Sequence, residues 1–195
     1  MTTRPIENWL GAYESGRPTG PEPDPDRTYT AQELANGQQL VAVHDHLRNE
    51  LNQIQTLVAE VADGSASATH ARTAINKMTV RQNNWTVGAY CATYCRLVTT
   101  HHTVEDQALF PRLRRADPRL SPVIDRLAAE HLSIHGVLER LDGALVAFVS
   151  DASGTAGGSE QLHAALDLLS ATLLSHLSYE ERELVEPLSR LGVLV

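Results

Sequence analysis

Four long stretches of this chain repeat apolar residues at alternating steps of three and four, the period of an α-helix with one buried face. The first opens at Thr30 and Glu33, a pair with capping-box spacing, and carries Leu40, Leu47, Leu51, Ile54, Val58 and Val61 until Asp63-Gly64 stops it. The second covers about 82–109, with Val87, Tyr90, Tyr94, Leu97 and Ala108 on one face, and Pro111 and the Asp117-Pro118 pair end it. The third starts at Ser121-Pro122 and carries Ile124, Leu127, Ile134, Leu138, Leu141 and Leu145. The fourth begins near Ser159 with Leu162, Leu166, Leu169 and Leu173, and Pro187 is expected to bend or end it. A Gly- and Ser-rich loop is expected at 151–158, and a short helix or irregular connection at 65–80. No strand pattern competes, so the fold expected is all-α: an up-down-up-down four-helix bundle over residues 30–195.

Residues 1–29 read as an N-terminal arm. Ile6, Trp9, Leu10 and Tyr13 can form one amphipathic turn, and Pro18, Pro21, Pro23 and Pro25 then forbid regular structure.

Charge and cysteine usage narrow the class. A formal charge of −8 argues against a nucleic-acid partner. No apolar run is long enough to span a membrane, and no secretory segment is visible. Cys91 and Cys95 lie four apart in a helical pattern that cannot easily close a disulfide, so a cytoplasmic location is expected.

The informative residues are those that break the apolar stripes. His44 continues the series 40, 44, 47, 51, and His101 continues 90, 94, 97, 101 with Glu105 one turn on. His131 and His135 lie one turn apart between Leu127 and Leu138. His176 continues 166, 169, 173, 176 with Glu180 one turn on. A lone inward histidine is most often a hydrogen-bonded core residue. Seven ionisable groups on four buried faces are different, because each left unpaired costs several kcal/mol (order of magnitude) in desolvation. Their heights along an antiparallel bundle agree to within one turn, so one metal cluster can satisfy them all. Imidazole and carboxylate without thiolate suit iron, and less well manganese, zinc or copper. The set is too large for one ion, and two octahedral irons bridged by two carboxylates and one oxygen leave one position open.

His102 with Asp106 is the rival register in the second helix; that face meets Cys91 and Cys95, so the reading prefers His101 and Glu105. His46 falls on a polar face, and the one Glu-x-x-His, at Glu160 and His163, is too little for a ferritin-like site.

The combination of His44, His101-His102-Thr-Val-Glu105-Asp106 with Leu109-Phe110-Pro111, Glu130-His131-x-x-x-His135 and His176-x-x-x-Glu180-Glu181 resembles the hemerythrin-like, or HHE cation-binding, family. The resemblance covers roughly 35–190 and implies an oxo- or hydroxo-bridged di-iron centre with one open position. Glu105 and Glu180 would be the bridges, and the five histidines terminal ligands. The oxygen-carrying members end with histidine and aspartate five apart, whereas His176 and Glu180 are four apart. That spacing looks like the bacterial relatives, and the stretch from Arg81 to Pro111 like an actinobacterial branch.

Two functions follow from the resemblance. One is a protein that binds dioxygen or nitric oxide for sensing, storage or protection. The other is an enzyme that disproportionates or uses hydrogen peroxide, with Tyr90, Tyr94 or Tyr179 supplying a proton or electron. A protein partner for signalling is left unidentified.

Overall fold

A computed structural model describes residues 11–62, 87–150 and 156–193. Their regular structure is helical, and the chain is an all-α bundle. Helix α1 is Ala31–Ala62 and α2 is Val87–Val104. A π-helical turn over Glu105–Leu109 then leads directly into α3, Phe110–Ala116. A single 3-10 turn, Pro118–Leu120, precedes α4, Ser121–Ser150, and α5 is Ala156–Leu191.

The start of α1 is set by the expected box. Glu33 Oε2 accepts from the Thr30 N–H at 2.8 Å, and the Glu33 N–H donates to Thr30 Oγ1 at 3.2 Å. At the end of the last helix, Gly192 takes φ +63°, the left-handed conformation that closes a helix and that glycine adopts without strain.

Three boundary expectations need correction. Pro111 does not end the second helix, because the π turn precedes it. The Phe110 N–H bonds to Glu105 O, five residues back, and the widened turn spares the proline ring its usual clash with the carbonyl four residues back. The helical path instead runs to Asp117, whose extended backbone (φ −144°, ψ 96°) is the conformation favoured before proline. Pro187 does not end the last helix either: α5 continues through it to Leu191. Finally, α5 starts at Ala156, three residues ahead of Ser159. The connector expected at 65–80 lies outside the described residues, as do Ile6, Trp9 and Leu10.

The chain falls into two compact units. One comprises residues up to His46, Thr100–Ile134 and Ala171 onward; the other comprises Leu47–Thr99 and His135–Ser170. The first has its own apolar core, with Leu40, Leu113, Leu120, Leu127, Leu184 and Leu188 buried. In it α1 and α5 approach closely at Gly37, where a Cβ would lie 2.5 Å from Val185 O and from Ser189 Oγ. The second unit buries Leu51, Ile54, Cys91, Val98, Leu141 and Leu166. Leu40, Leu47, Leu51, Ile54 and Val58 of the first helix and the stripes of the third and fourth are buried as the spacing predicts. In α2 the buried face is turned from the expected one: Leu97 is only half-buried, while Cys91 and Val98 are fully enclosed. No described helix is long and apolar enough to cross a membrane.

Residues 11–14 are helical, and the chain from Arg17 to Thr30 is irregular, as the prolines require. This arm packs within the first unit. The Tyr179 hydroxyl donates to Pro18 O at 2.7 Å, the Gly20 N–H donates to Glu183 Oε2 at 2.7 Å, and the Tyr29 hydroxyl bonds Glu186.

Candidate metal centre

Inside the first unit, seven side chains from five helical segments converge. His44 comes from α1, His101 and His102 from the end of α2, and Glu105 from the π turn. His131 comes from α4, and His176 and Glu180 from α5. Their donor atoms form two groups, each within 4.8 Å of one another: His102, His131 and His176 in one, and His44, His101, Glu105 and Glu180 in the other.

The two glutamates join these groups. Glu105 places Oε1 3.3 Å from His101 Nε2 and Oε2 3.6 Å from His131 Nε2. Glu180 Oε2 lies 3.5 Å from His44 Nε2 and 3.6 Å from His176 Nε2. The imidazoles are packed face and edge: His102 and His131 stack at 4.0 Å between centroids, and His44 meets His101 edge-on at 5.1 Å. Phe110 closes the outer face of His131, stacked at 5.4 Å.

Orientation is imposed from behind by a ring of carboxylates. His44 Nδ1–H donates to Glu181 Oε1 at 2.8 Å, His131 Nδ1–H to Asp106 Oδ1 at 3.0 Å, and His176 Nδ1–H to Glu130 Oε2 at 3.1 Å. Such contacts fix the tautomer, so the Nε2 lone pair of each ring points inward. The consequence is a cluster of orphaned atoms. The Nε2 of all five histidines and both oxygens of Glu105 and of Glu180 are buried without a hydrogen-bond partner. Buried polar atoms are ordinarily paired, and nine unpaired ones aimed at each other fit a bound metal.

The electrostatics carry the same strain. Burial pushes the Glu105 carboxyl well above the usual carboxylate range, and the facing Glu180 charge adds to it. Burial also raises Glu180, but the imidazoles of His44, His176 and His101 that face it outweigh burial and lower its pKa below the usual carboxylate range. Burial drives His101 down to about 4 and lowers His102 and His176 as well. Burial therefore favours the neutral form of these three rings, the form in which imidazole is a ligand. The thiols are poor competitors: burial pushes Cys91 up to about 12 and Cys95 to about 11.

Six of the seven residues singled out from the sequence (His44, His101, Glu105, His131, His176 and Glu180) meet here. His135 does not, and His102 takes its place. His135 has a side chain 58% exposed and lies 3.6 Å from Glu139. The buried seam of α4 runs 127, 131, 134, 138, and position 135 lies about 100° round the helix from Ile134, beyond the seam's edge and on the exposed side. The rejection of His102 rested on Cys91 and Cys95 marking a different face. Cysteine behaves as a small apolar residue, and the series Cys91, Val98, His102 is itself a buried stripe. Consecutive residues His101 and His102 straddle the inward direction, so both reach the cluster. The π turn just beyond then buries Glu105 together with both Leu109 and Phe110, four and five residues on.

The tyrosine candidates are otherwise engaged. Tyr94, buried in the second unit, donates its hydroxyl to Leu47 O at 3.1 Å, and Tyr179 donates to Pro18 O. The side chain of Tyr90 lies outside the described residues.

The model of the hemerythrin HHE cation-binding domain matches residues 37–188, most of the chain. The chain belongs to the hemerythrin HHE cation-binding family. No curated protein and no solved structure matches it significantly. The matched span of this hemerythrin-like chain contains all seven converging side chains, and it leaves the arm that carries Arg17 outside.

Proposed function

We propose that this chain is a non-haem di-iron protein that binds dioxygen or nitric oxide reversibly at one open iron position. The observation that carries the reading is the set of nine inward, unpartnered donor atoms, five from imidazole and four from carboxylate. Two octahedral irons offer about twelve positions. Were Glu105 and Glu180 each to serve both irons, the five imidazoles and a shared oxygen ligand would leave one position for a small molecule. His102, His131 and His176 would hold one iron, and His44 and His101 the other. The position for the small molecule would then lie on the side of His44 and His101. Two ferrous ions supply redox-active centres with room for one small diatomic molecule.

The residues around them do the rest. Glu105 and Glu180 provide the charge that offsets two cations in a buried place. Glu181, Asp106 and Glu130 keep three of the imidazoles turned inward. Leu40, Phe110 and Leu173, all buried, line the helices on either side and keep bulk water away. Reversible binding is favoured over turnover because Tyr94 and Tyr179, the described candidates for delivering a proton, spend their hydroxyls on backbone carbonyls.

The test is anaerobic reconstitution with ferrous iron, exposure to dioxygen and purging with argon. Two irons per chain with an absorption band that fades on purging support the reading. A band that decays to a lasting diferric spectrum, with hydrogen peroxide then consumed catalytically, supports the peroxide enzyme instead. A chain that takes up no iron overturns both.

A further inference from the structure

The three carboxylates behind the imidazoles are not alike. Asp106, behind His131, has a side chain 41% exposed, and Glu181, behind His44, is 22% exposed; Glu130, behind His176, is 2% exposed. Water screens the first two. Glu130 is instead held by two guanidiniums. Arg17 donates from Nε to Oε1 at 2.8 Å and from Nη2 to Oε2 at 2.9 Å, and Arg126 donates from Nε to Oε1 at 2.7 Å.

Arg17 belongs to the arm, yet its side chain is only 10% exposed. Its guanidinium lies 4.7 Å from the ring centroid of Tyr179 and 5.3 Å from that of Tyr13, and Nη1 reaches Ser175 Oγ at 3.0 Å. A planar, permanently charged fork on a buried carboxylate is a strong and directional contact.

The electronic consequence has a definite sign. A carboxylate already engaged by a two-pronged guanidinium pulls less on the Nδ1–H of His176, so the imidazole donates less to a metal at Nε2. A fixed positive charge nearby also disfavours the more oxidised metal. Both effects raise the reduction potential.

We propose that Arg17 is a positioning residue of the metal centre, acting through Glu130 and His176 to raise the reduction potential of the metal held by His102, His131 and His176. The proposal rests on the reading of the cluster as an iron site. It makes the arm a working part of the centre, and its effect falls on one metal of the two.

The test compares wild type with Arg17→Gln, Arg17→Lys and Tyr29→Phe. Cobalt(II) titration counts the sites, and spectroelectrochemistry of the iron-loaded proteins gives the midpoint potential. Arg17→Gln is expected to bind two metals and to shift the ferrous preference about tenfold, which is about 59 mV more negative for a one-electron couple. Arg17→Lys, which keeps the charge and loses the fork, shifts it less in the same direction. Tyr29→Phe loses the arm's bond to Glu186, lowering the melting temperature without moving the potential. Should Arg17→Gln fail to fold, Arg17→Lys decides alone. A wild-type potential in the folded Arg17 variants, or an equal shift in Tyr29→Phe, overturns the proposal. If wild type binds neither cobalt nor iron, the metal-centre reading fails and this inference with it; if wild type binds two metals and the potential is unmoved, only this inference fails.

Discussion

Glu105 and His131 meet at 3.6 Å between Oε2 and Nε2, while the other oxygen of the same carboxylate faces His101 at 3.3 Å. One side chain thus faces both groups of imidazoles, a geometry that suits the proposed metal pair. Glu105→Ala is expected to reduce metal content from two ions per chain to one or fewer, measured by elemental analysis after gel filtration. Glu105→Gln keeps the volume and one good acceptor, so it should retain more metal than Glu105→Ala. Two full equivalents in Glu105→Ala would rule out a bridging role.

The exchange of one histidine for another is directly testable. His102→Ala removes an inward, buried Nε2 and should weaken the site it shares with His131 and His176 by roughly ten- to a hundredfold or more. His135→Ala alters an exposed side chain and should leave metal stoichiometry and affinity unchanged. Competition titration against a chelator of known affinity separates the two.

Metal removal should destabilise the fold. Nine orphaned donor atoms sit in the first unit, and a ligand present at about a hundred times its dissociation constant stabilises the native state by about 2.7 kcal/mol. Thermal unfolding with and without a chelator should show a lower melting temperature for the stripped protein. Equal melting temperatures would mean that the cluster tolerates its own desolvation.

Gly37 should resist substitution. A methyl group there would lie 2.5 Å from Val185 O, a backbone atom that cannot swing away, and 2.5 Å from Ser189 Oγ. Gly37→Ala removes a helix-weakening residue from α1, which by propensity alone favours the fold by about 1 kcal/mol. Overpacking costs about 1–3 kcal/mol and should win. Chemical denaturation is the check, and a more stable variant would show that the contact yields.

Asp117 gives the acid side of the stability profile. The Arg119 guanidinium, helped by Arg190 and the Arg119 N–H, outweighs burial and holds its carboxyl well below the usual range. Because the folded-state pKa is depressed, this stabilisation is fully present above the unfolded value of about 3.9 and fades as pH falls below it. Asp117→Asn should therefore lower stability at neutral pH, and the gap from wild type should narrow below about pH 4. A gap that stays constant with pH would remove the charge from the explanation.

Local chemistry is what the sequence determined. Helical period, the Thr30–Glu33 box, the stop at Asp117-Pro118 and the arm's prolines act over a few residues, so each is legible from neighbours alone. Six of the converging side chains were legible for a related reason: a histidine or glutamate that replaces a leucine in a buried stripe reveals itself by position. Tertiary structure decided what depends on distant groups. A π turn at Glu105–Leu109 let the helix pass Pro111, and packing around Cys91 and Val98 turned the buried face enough to admit His102. Rotation about a helix is read from sequence only to within a residue or so, and that margin separates Ile134 from His135. Glu130, Asp106 and Glu181 lie in the motif, but which imidazole each receives, and that Arg17 reaches Glu130 from more than a hundred positions away, follows from how the segments pack.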